Sequence, residues 1–251
     1  MTSRVFKTKL LSCLWLCLSN PVSASDPDTA KHLELISTHP LQIPEPSGLA
    51  LDTGGCHLWT VSDRTNRVYK IDLSGATLDS LLYVGEDLEG VAHNNTDGTL
   101  WVVEEKKREI VQLDTLGNEL LRRHIPVKQK RANKGLEGIT FNSKTRTLFV
   151  VNQKSPKLLL EIDTDLTLRN EHKLTFAKDY SAIAYDEGTD LLWILSNASQ
   201  ALWQCDLAGQ EIVKYIVDVK KPEGLAINAE KKLLYLVSDS DSELYIFKLP
   251  E

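Results

Sequence analysis

The chain has 251 residues, of which 42% are hydrophobic and 25% are charged. This ordinary globular composition excludes a mainly disordered, collagen-like or coiled-coil chain. The formal net charge of −6 gives no basic footprint for nucleic acid, so we expect no nucleic-acid partner. Four cysteines in a chain of this length also exclude a disulfide-dense scaffold.

The first 24 residues are predicted to be a secretory signal peptide. Three basic residues precede an apolar run from Leu10 to Leu18, which is far too short to span a bilayer. Val22 and Ala24 occupy positions −3 and −1 of a cleavage site after residue 24. We therefore expect residues 25–251 to be exported as a single domain, to the periplasm or elsewhere in the cell envelope.

Five segments of the remaining chain begin alike. Each opens with a short motif whose third residue is Gly or, once, Ala, and these residues are 42–48 positions apart. Each opening is followed by further apolar runs, so that a unit contains four short strands. This period predicts an all-β fold, a five-bladed β-propeller of four-stranded blades. The five openings are Pro46–Ala50, Leu88–Ala92, Leu136–Thr140, Tyr180–Ala184 and Pro222–Ala226.

Two further patterns support this architecture. The fifth unit has only three strands, and the segment Leu33–Thr38 is predicted to supply its fourth strand and so to close the ring. Cys56 and Cys205 fall in blades one and four, which are not neighbours, so we expect no disulfide between them. An aromatic residue recurs in each second strand; we interpret this column as packing between blades, with a ligand platform as the alternative. Its members are Trp59, Trp101, Phe149, Trp193 and Tyr235.

The residue before each repeated Gly or Ala is predicted to lie near the propeller axis, because the innermost strand of every blade starts there. Three of these residues are glutamates, and converging carboxylates need protons or a cation. A set of carboxylates and hydroxyls without His or Cys favours Ca²⁺ as the cofactor. The alternative is that the glutamates only hydrogen-bond to neighbouring blades. The predicted metal ligands are Ser47, Glu89, Glu137, Ser181 and Glu223.

A second polar ring is predicted on the same face, because the second strand runs antiparallel to the first and returns there. These side chains are expected to orient the metal ligands or contact a ligand, the alternative being ordinary polar loop starts. They are Asp63, Glu105, Gln153, Asn197 and Asp239. Lys106, Arg108 and Lys154 lie nearby, together with a basic run at 128–134. We expect Lys106, Arg108 and Lys154 to bind an anion, with a solvated basic surface as the alternative.

The runs Lys134–Thr140, Lys221–Ala226 and Glu45–Ala50 resemble the bacterial SdiA-regulated family, the YjiK-like proteins. The similarity covers residues 33 to 251 approximately. It implies an exported or membrane-associated β-propeller.

The order Ser, Glu, Glu, Ser, Glu around the axis is also similar to the central calcium site of the calcium-activated nucleotidase (apyrase) family, another five-bladed propeller. That likeness implies that Ser47, Glu89, Glu137, Ser181 and Glu223 are calcium ligands. We match none of that family's nucleotide-binding residues in this chain.

Two functions follow from these patterns. The first is an exported, monomeric calcium-binding module that recruits a small anionic ligand or an envelope protein, with peripheral membrane association. The alternative is a calcium-dependent hydrolase of phosphate or related anionic esters, apyrase- or phytase-like. In the hydrolase, Asp63, Glu105 or Asp239 would activate water. The sequence leaves open whether the protein is an enzyme.

Overall fold

The computed structural model describes residues 31–127 and 135–250. They form five sheets, and the inner strand of each contacts the inner strands of two neighbours, so the sheets close into a ring. The predicted five-bladed β-propeller is therefore confirmed. The predicted signal peptide and the basic run at 128–134 lie outside the described residues. Within the described ranges, no helix has the length and apolar character needed to cross a membrane.

The strands follow the repeated units closely. The first two are β1 (Lys31–His32) and β2 (Leu35–Pro40). Blade one contains β3 (Pro46–Leu51), β4 (His57–Ser62), β5 (Arg67–Asp72) and β6 (Thr77–Val84). Blade two contains β7 (Leu88–His93), β8 (Leu100–Glu104), β9 (Glu109–Leu113) and β10 (Glu119–His124). Blade three contains β11 (Leu136–Asn142), β12 (Thr147–Asn152), β13 (Leu158–Asp163) and β14 (Leu168–Lys173).

The last two blades differ in how they are completed. Blade four contains β15 (Ala182–Asp186), β16 (Leu191–Ser196), β17 (Ala201–Cys205) and β18 (Glu211–Ile216). Blade five contains β19 (Pro222–Asn228), β20 (Leu233–Ser238) and β21 (Glu243–Lys248). Its fourth strand is β2, which pairs antiparallel with β21. The predicted closure by the N-terminal strand is confirmed, although that strand spans 35–40 rather than 33–38.

The segment before β2 has a role that the sequence did not predict. Strand β1 pairs in parallel with β18, the outer strand of blade four. The chain from Lys31 to Pro40 therefore bonds to two neighbouring blades in succession. This arrangement covers part of one exposed sheet edge and joins blades four and five at the periphery.

The repeated glycines allow the inner strands to approach one another closely. A Cβ on Gly90 would lie 2.5 Å from the carbonyl oxygen of Glu137 in the next blade. A Cβ on Gly224 would lie 2.7 Å from the carbonyl oxygen of Ser47. Gly48 and Gly138 face their neighbours in the same way. Glycine at this position is thus a steric requirement in four of the five inner strands, whereas blade four accommodates Ala182.

Hydrophobic packing between blades forms the core. The predicted aromatic column is buried, with relative exposures of 0–6%. One core cluster, for example, joins Trp101 of blade two to Leu148 of blade three. The column therefore fills the spaces between blades, as predicted, and offers no exposed platform for a ligand. Cys56 and Cys205 are free, as their places in non-adjacent blades predict.

We predict that Gly90→Ala destabilises the protein by about 1–3 kcal/mol, because the added methyl group forces strands β7 and β11 apart. Gly54→Ala is the matched control, since its Cβ would meet only a carboxylate oxygen of Asp52, at 3.9 Å. Urea unfolding of both variants would measure the difference. Equal midpoints for the two variants would contradict this account of the glycine repeat.

Candidate metal centre

A break in strand pairing sets the position of the axial ring. In four blades the register between the first and second strands shifts just after the first residue pair. The predicted ring residue lies within each of these irregularities, and a bulge of this kind bends a strand and re-aims its side chain. These residues are Ser47, Glu89, Glu137 and Glu223. In blade four, Ser181 directly precedes β15, and its N–H donates to the carbonyl of Leu195 at 2.9 Å.

Acidic side chains of blades two and three lie together at the end of the axis where the inner strands begin, which we call the acidic mouth. Ligand oxygens of Asp87, Glu89 and Glu105 lie within 4.8 Å of one another. Glu137, which is only 6% exposed, shares a side-chain hydrogen bond with Glu105. Blades two and three together therefore place four acidic groups around a small volume. Of the predicted ring residues, Glu89 belongs to this cluster and Glu137 contacts it through Glu105.

Burial and mutual repulsion favour the protonated forms of these acids. Burial is the main cause that raises the pKa of Glu89 to about 9, and the charge on Glu223 is the next largest cause. Burial is also the main cause that raises the pKa of Glu223 to about 8, and the charge on Asp239 is the next largest cause. Burial and the neighbouring Glu89 raise the pKa of Glu137 well above its usual range. A cation here would compete with protons, so metal binding would release protons at neutral pH.

The two serines of the ring have different environments. The hydroxyl of Ser181 donates to the carbonyl of Pro222 at 3.1 Å. The Oγ atom of Ser47 is buried and has no hydrogen-bond partner among the described residues. An uncompensated buried hydroxyl is costly, whereas it would be satisfied as a ligand to a cation. Of the two, Ser47 is thus the better candidate ligand.

The second polar ring contacts the first ring and the segments that precede the inner strands. The carboxylate of Glu105 accepts from the N–H of Gly135 at 2.7 Å. The amide of Asn197 donates to the carboxylate of Glu223 at 3.4 Å. The N–H of Gln153 donates to the carbonyl of Gly135 at 2.8 Å. These contacts place the second ring directly against the starts of the inner strands.

The two remaining members of the second ring are both acidic. Asp239 forms an ion pair with Lys221. The Oδ1 atom of Asp63 is buried without a hydrogen-bond partner among the described residues. Burial is the main cause that raises the pKa of Asp63 to about 6, and the charge on Glu45 is the next largest cause. Asp63 therefore titrates close to neutral pH.

A third set of polar residues was missed by the sequence analysis. Two positions before the ring residue, blades one, two, four and five carry Glu45, Asp87, Asp179 and Lys221. The carbonyl of Asp87 accepts from the N–H of Glu105 at 3.0 Å, and the carbonyl of Lys221 accepts from Asp239 at 3.0 Å. Because these polar residues stand at the same offset from the ring residue in four blades, the sequence already contained a signal for them. Asp87 is the most important of these omissions, because its carboxylate joins Glu89 and Glu105.

The three basic residues predicted to bind an anion all have acceptors within the protein. Lys106 lies 3.0 Å from a carboxylate oxygen of Asp87, and Lys154 lies 3.4 Å from one of Asp179. The guanidinium of Arg108 donates to the carbonyl of Val127 at 3.4 Å. Lys106 and Lys154 therefore offset charge at the acidic mouth. Their role in binding an anion stays a prediction.

The fold and the mouth together define a five-bladed propeller with an oxygen-rich axial centre. The sequence pattern of the SdiA-regulated family matches residues 27–248, which is most of the chain. The protein therefore belongs to the SdiA-regulated family. The predicted resemblance is confirmed, and it extends into the segment that pairs with blade four.

Several solved structures share the fold at low sequence identity. Glutaminyl cyclase from Myxococcus xanthus has a TM-score of 0.69 at 11% identity, covering 87% of this chain and 98% of that one. Virginiamycin B lyase from Staphylococcus aureus has a TM-score of 0.53 at 19% identity, covering 84% and 69%. A chain of a nidogen–laminin complex has a TM-score of 0.59 at 14% identity, covering 81% and 76%. At these identities the likeness concerns the fold alone.

We predict that the metal-free protein loses stability as the pH rises from about 6 to about 9. The folded state has raised glutamate pKa values, so it holds protons that the unfolded chain releases above its ordinary pKa near 4.5. Stability from this source is complete below the unfolded pKa and is lost as the pH approaches the folded pKa. Urea unfolding in EDTA across this range would measure the slope.

The triple variant Glu89→Gln/Glu137→Gln/Glu223→Gln is the comparison for this slope. It removes the three titrating groups, so its stability should vary less with pH over the same range. A wild-type stability that is flat or rises from pH 6 to 9 would contradict the predicted proton uptake.

Proposed function

We propose that this protein is an exported calcium-binding β-propeller that acts as a ligand- or protein-binding module at the cell envelope. The observation that carries the metal assignment is the meeting of Asp87, Glu89 and Glu105 within 4.8 Å. The buried Glu137 and the unpartnered hydroxyl of Ser47 lie on the same axial ring. Their combined chemistry fits a hard cation.

Calcium suits this donor set better than zinc. Ca²⁺ takes six to eight oxygen ligands in flexible geometry, whereas structural zinc sites are built from Cys and His. Asp87, Glu89 and Glu105 would hold the ion, and Glu137 and Ser47 would complete its surroundings. When bound, calcium would supply positive charge that keeps these acids ionised. The axial mouth would then be held together by one ion contacted from several blades.

The ion pairs formed by the basic residues favour a binding module over an enzyme. Lys106 and Lys154 are both paired with acids of the protein. Neither cation is therefore free to hold a phosphate next to the metal without first losing an ion pair. In this proposal the ion organises the loops of the upper face, and those loops recognise the ligand or envelope protein.

The export part of the proposal is supported by the sequence of residues 1–24, with its basic start, apolar run and cleavage position. Expression of the full chain, cell fractionation and mass spectrometry of the N-terminus would test it. A mature protein beginning at residue 25 outside the cytoplasm would support export. An uncleaved cytoplasmic protein would contradict it.

One observation keeps the hydrolase as a second candidate. The carboxyl of Asp63 has a raised pKa of about 6 and an unpartnered oxygen, which are properties of a general base. In this alternative, calcium would polarise an ester oxygen and Asp63 would take a proton from water.

We predict that calcium raises the melting temperature of the wild-type protein. At a hundredfold excess over its Kd, a ligand of the folded state stabilises by about 2.7 kcal/mol. For a domain of this size, that corresponds to roughly 5–10 °C in Tm. The variant Glu89→Gln/Glu137→Gln should stay folded in EDTA and lose most of this shift. Differential scanning calorimetry and elemental mass spectrometry would measure Tm and calcium content.

The matched control for that experiment is Glu34→Gln/Glu171→Gln, which also removes two negative charges but only from exposed positions. It should keep the full calcium-dependent shift and close to one calcium per chain. An absence of calcium in the wild-type protein, with none taken up on titration, would contradict the metal assignment.

The binding module predicts no calcium-dependent turnover of nucleotides, phosphomonoesters, phosphodiesters or lactones. A panel of such substrates, assayed with calcium and with EDTA, would test this. Turnover that depends on calcium and falls by at least about a hundredfold in Asp63→Asn would establish the hydrolase instead.

A further inference from the structure

A second mouth lies at the other end of the inner strands, away from the acidic ring. It leads into a cavity of about 380 Å³, within the range of small-molecule sites. All five blades contribute to its wall, chiefly through the ends of the inner strands and the hairpins that follow them. This cavity takes no part in the proposed metal centre.

The glycine layer separates the two mouths. Between them, the space along the axis shrinks to a cavity of about 10 Å³, lined by Gly48, Gly90, Gly138 and their neighbours. Such a volume holds about one water molecule. A ligand in the larger cavity therefore cannot pass through the propeller to the acidic ring, although Glu223 of that ring also lines the narrow space.

The wall of the larger cavity combines apolar and polar surface in similar measure. Leu49, Val91 and Leu225 supply apolar surface, and Phe141 and Tyr185 supply aromatic surface. His93 and Ser143 also line the cavity, although the Nδ1 atom of His93 and the Oγ atom of Ser143 are themselves buried away from it. A concave wall of this mixed kind can contact both the apolar and the polar parts of a small ligand.

The charged side chains that line the cavity are all acidic among the described residues. Asp52 is held by His57, whose ring nitrogen lies 2.8 Å from its carboxylate. Glu187 and Glu230 are exposed at the rim and have no ion-pair partner in the described part of the chain. The adjacent Lys231 donates to the carbonyl of Gly55 at 2.9 Å. Acidic groups at a concave, low-dielectric opening attract and orient cations.

From this geometry we infer a second binding site, for a small organic cation with an apolar or aromatic body and an ammonium head. The body would lie against Leu49, Val91 and Leu225, and the ammonium group would face Glu187 and Glu230. Aromatic faces such as that of Tyr185 add favourable interactions with an ammonium group. An anionic analogue would meet like charge at the rim, so the site should discriminate by charge.

The test uses two probes with the same aromatic body and opposite charge, 2-phenylethylammonium and 3-phenylpropionate. Each would be titrated into the ¹⁵N-labelled protein, and amide shifts would report both affinity and location. The ammonium probe should shift amides of the hairpins at Thr53–Gly55 and Glu187–Gly188. The carboxylate probe should bind at least about tenfold more weakly.

Substitutions then separate this site from the acidic ring. The double variant Glu187→Gln/Glu230→Gln should weaken ammonium binding by about fivefold, since two partly solvated charge contacts are lost. The control variant Glu34→Gln/Glu171→Gln should bind as the wild type does. Glu137→Gln, with or without calcium, should also bind as the wild type, because Glu137 lies in the other mouth.

Three results would overturn the inference. The first is equal affinity for the two probes. The second is a loss of binding in the control variant as large as that in Glu187→Gln/Glu230→Gln. The third is an absence of saturable shifts in the hairpins, including the case in which ammonium shifts occur only around the acidic ring.

Discussion

The close approach of the inner strands at the axis is the constraint on which the rest of this structure depends. Five blades can meet only if their innermost backbones come almost into contact, and a Cβ at Gly90 or Gly224 would prevent this. The residue before each glycine is carried inward by the same geometry. The steric demand of ring closure therefore also crowds the glutamates. The packing of the inner strands and the crowding of acids at the candidate site thus have the same cause.

Crowding of acids has an electrostatic consequence. Burial and like charge disfavour ionisation of Glu89, Glu137 and Glu223, so the mouth must hold protons or a cation. Lysines at the rim offset only part of this charge, through pairs such as Lys106 with Asp87. The metal site that we propose would be one physical resolution. It would couple the stability of the ring to ion concentration and pH.

The same architecture carries different chemistry in different proteins. The structures similar to this chain include a lyase, a cyclase and a chain of an extracellular protein complex, at 11–19% identity. The propeller supplies a rigid ring with two mouths, and the side chains at each mouth decide what it does. In this protein the glycine layer separates an oxygen-rich mouth from a second one that has a mixed apolar and polar wall and an acidic rim. The two binding sites that we propose would therefore differ in chemistry.

The sequence alone determined the number of blades and the closure by the N-terminal strand, and it predicted an axial ring of Ser and Glu residues. These features can be predicted from the repeat, because residues at the same position in each repeated unit must occupy equivalent places around the axis. Glu89 and Glu137 could be placed near one another without any coordinates, and a site rich in oxygen ligands followed from their chemistry.

Only the tertiary structure decided which of the acidic residues lie close together. The joining of Asp87 to Glu89 and Glu105 depends on distances between loops. Ser181 is hydrogen-bonded while Ser47 is not, although both occupy the same repeat position. The pairing of β1 with blade four and the cavity of the second mouth likewise arise from contacts between separate units. A repeat specifies equivalent positions, but the neighbours of each position differ from blade to blade, and those neighbours set hydrogen bonding, charge and space.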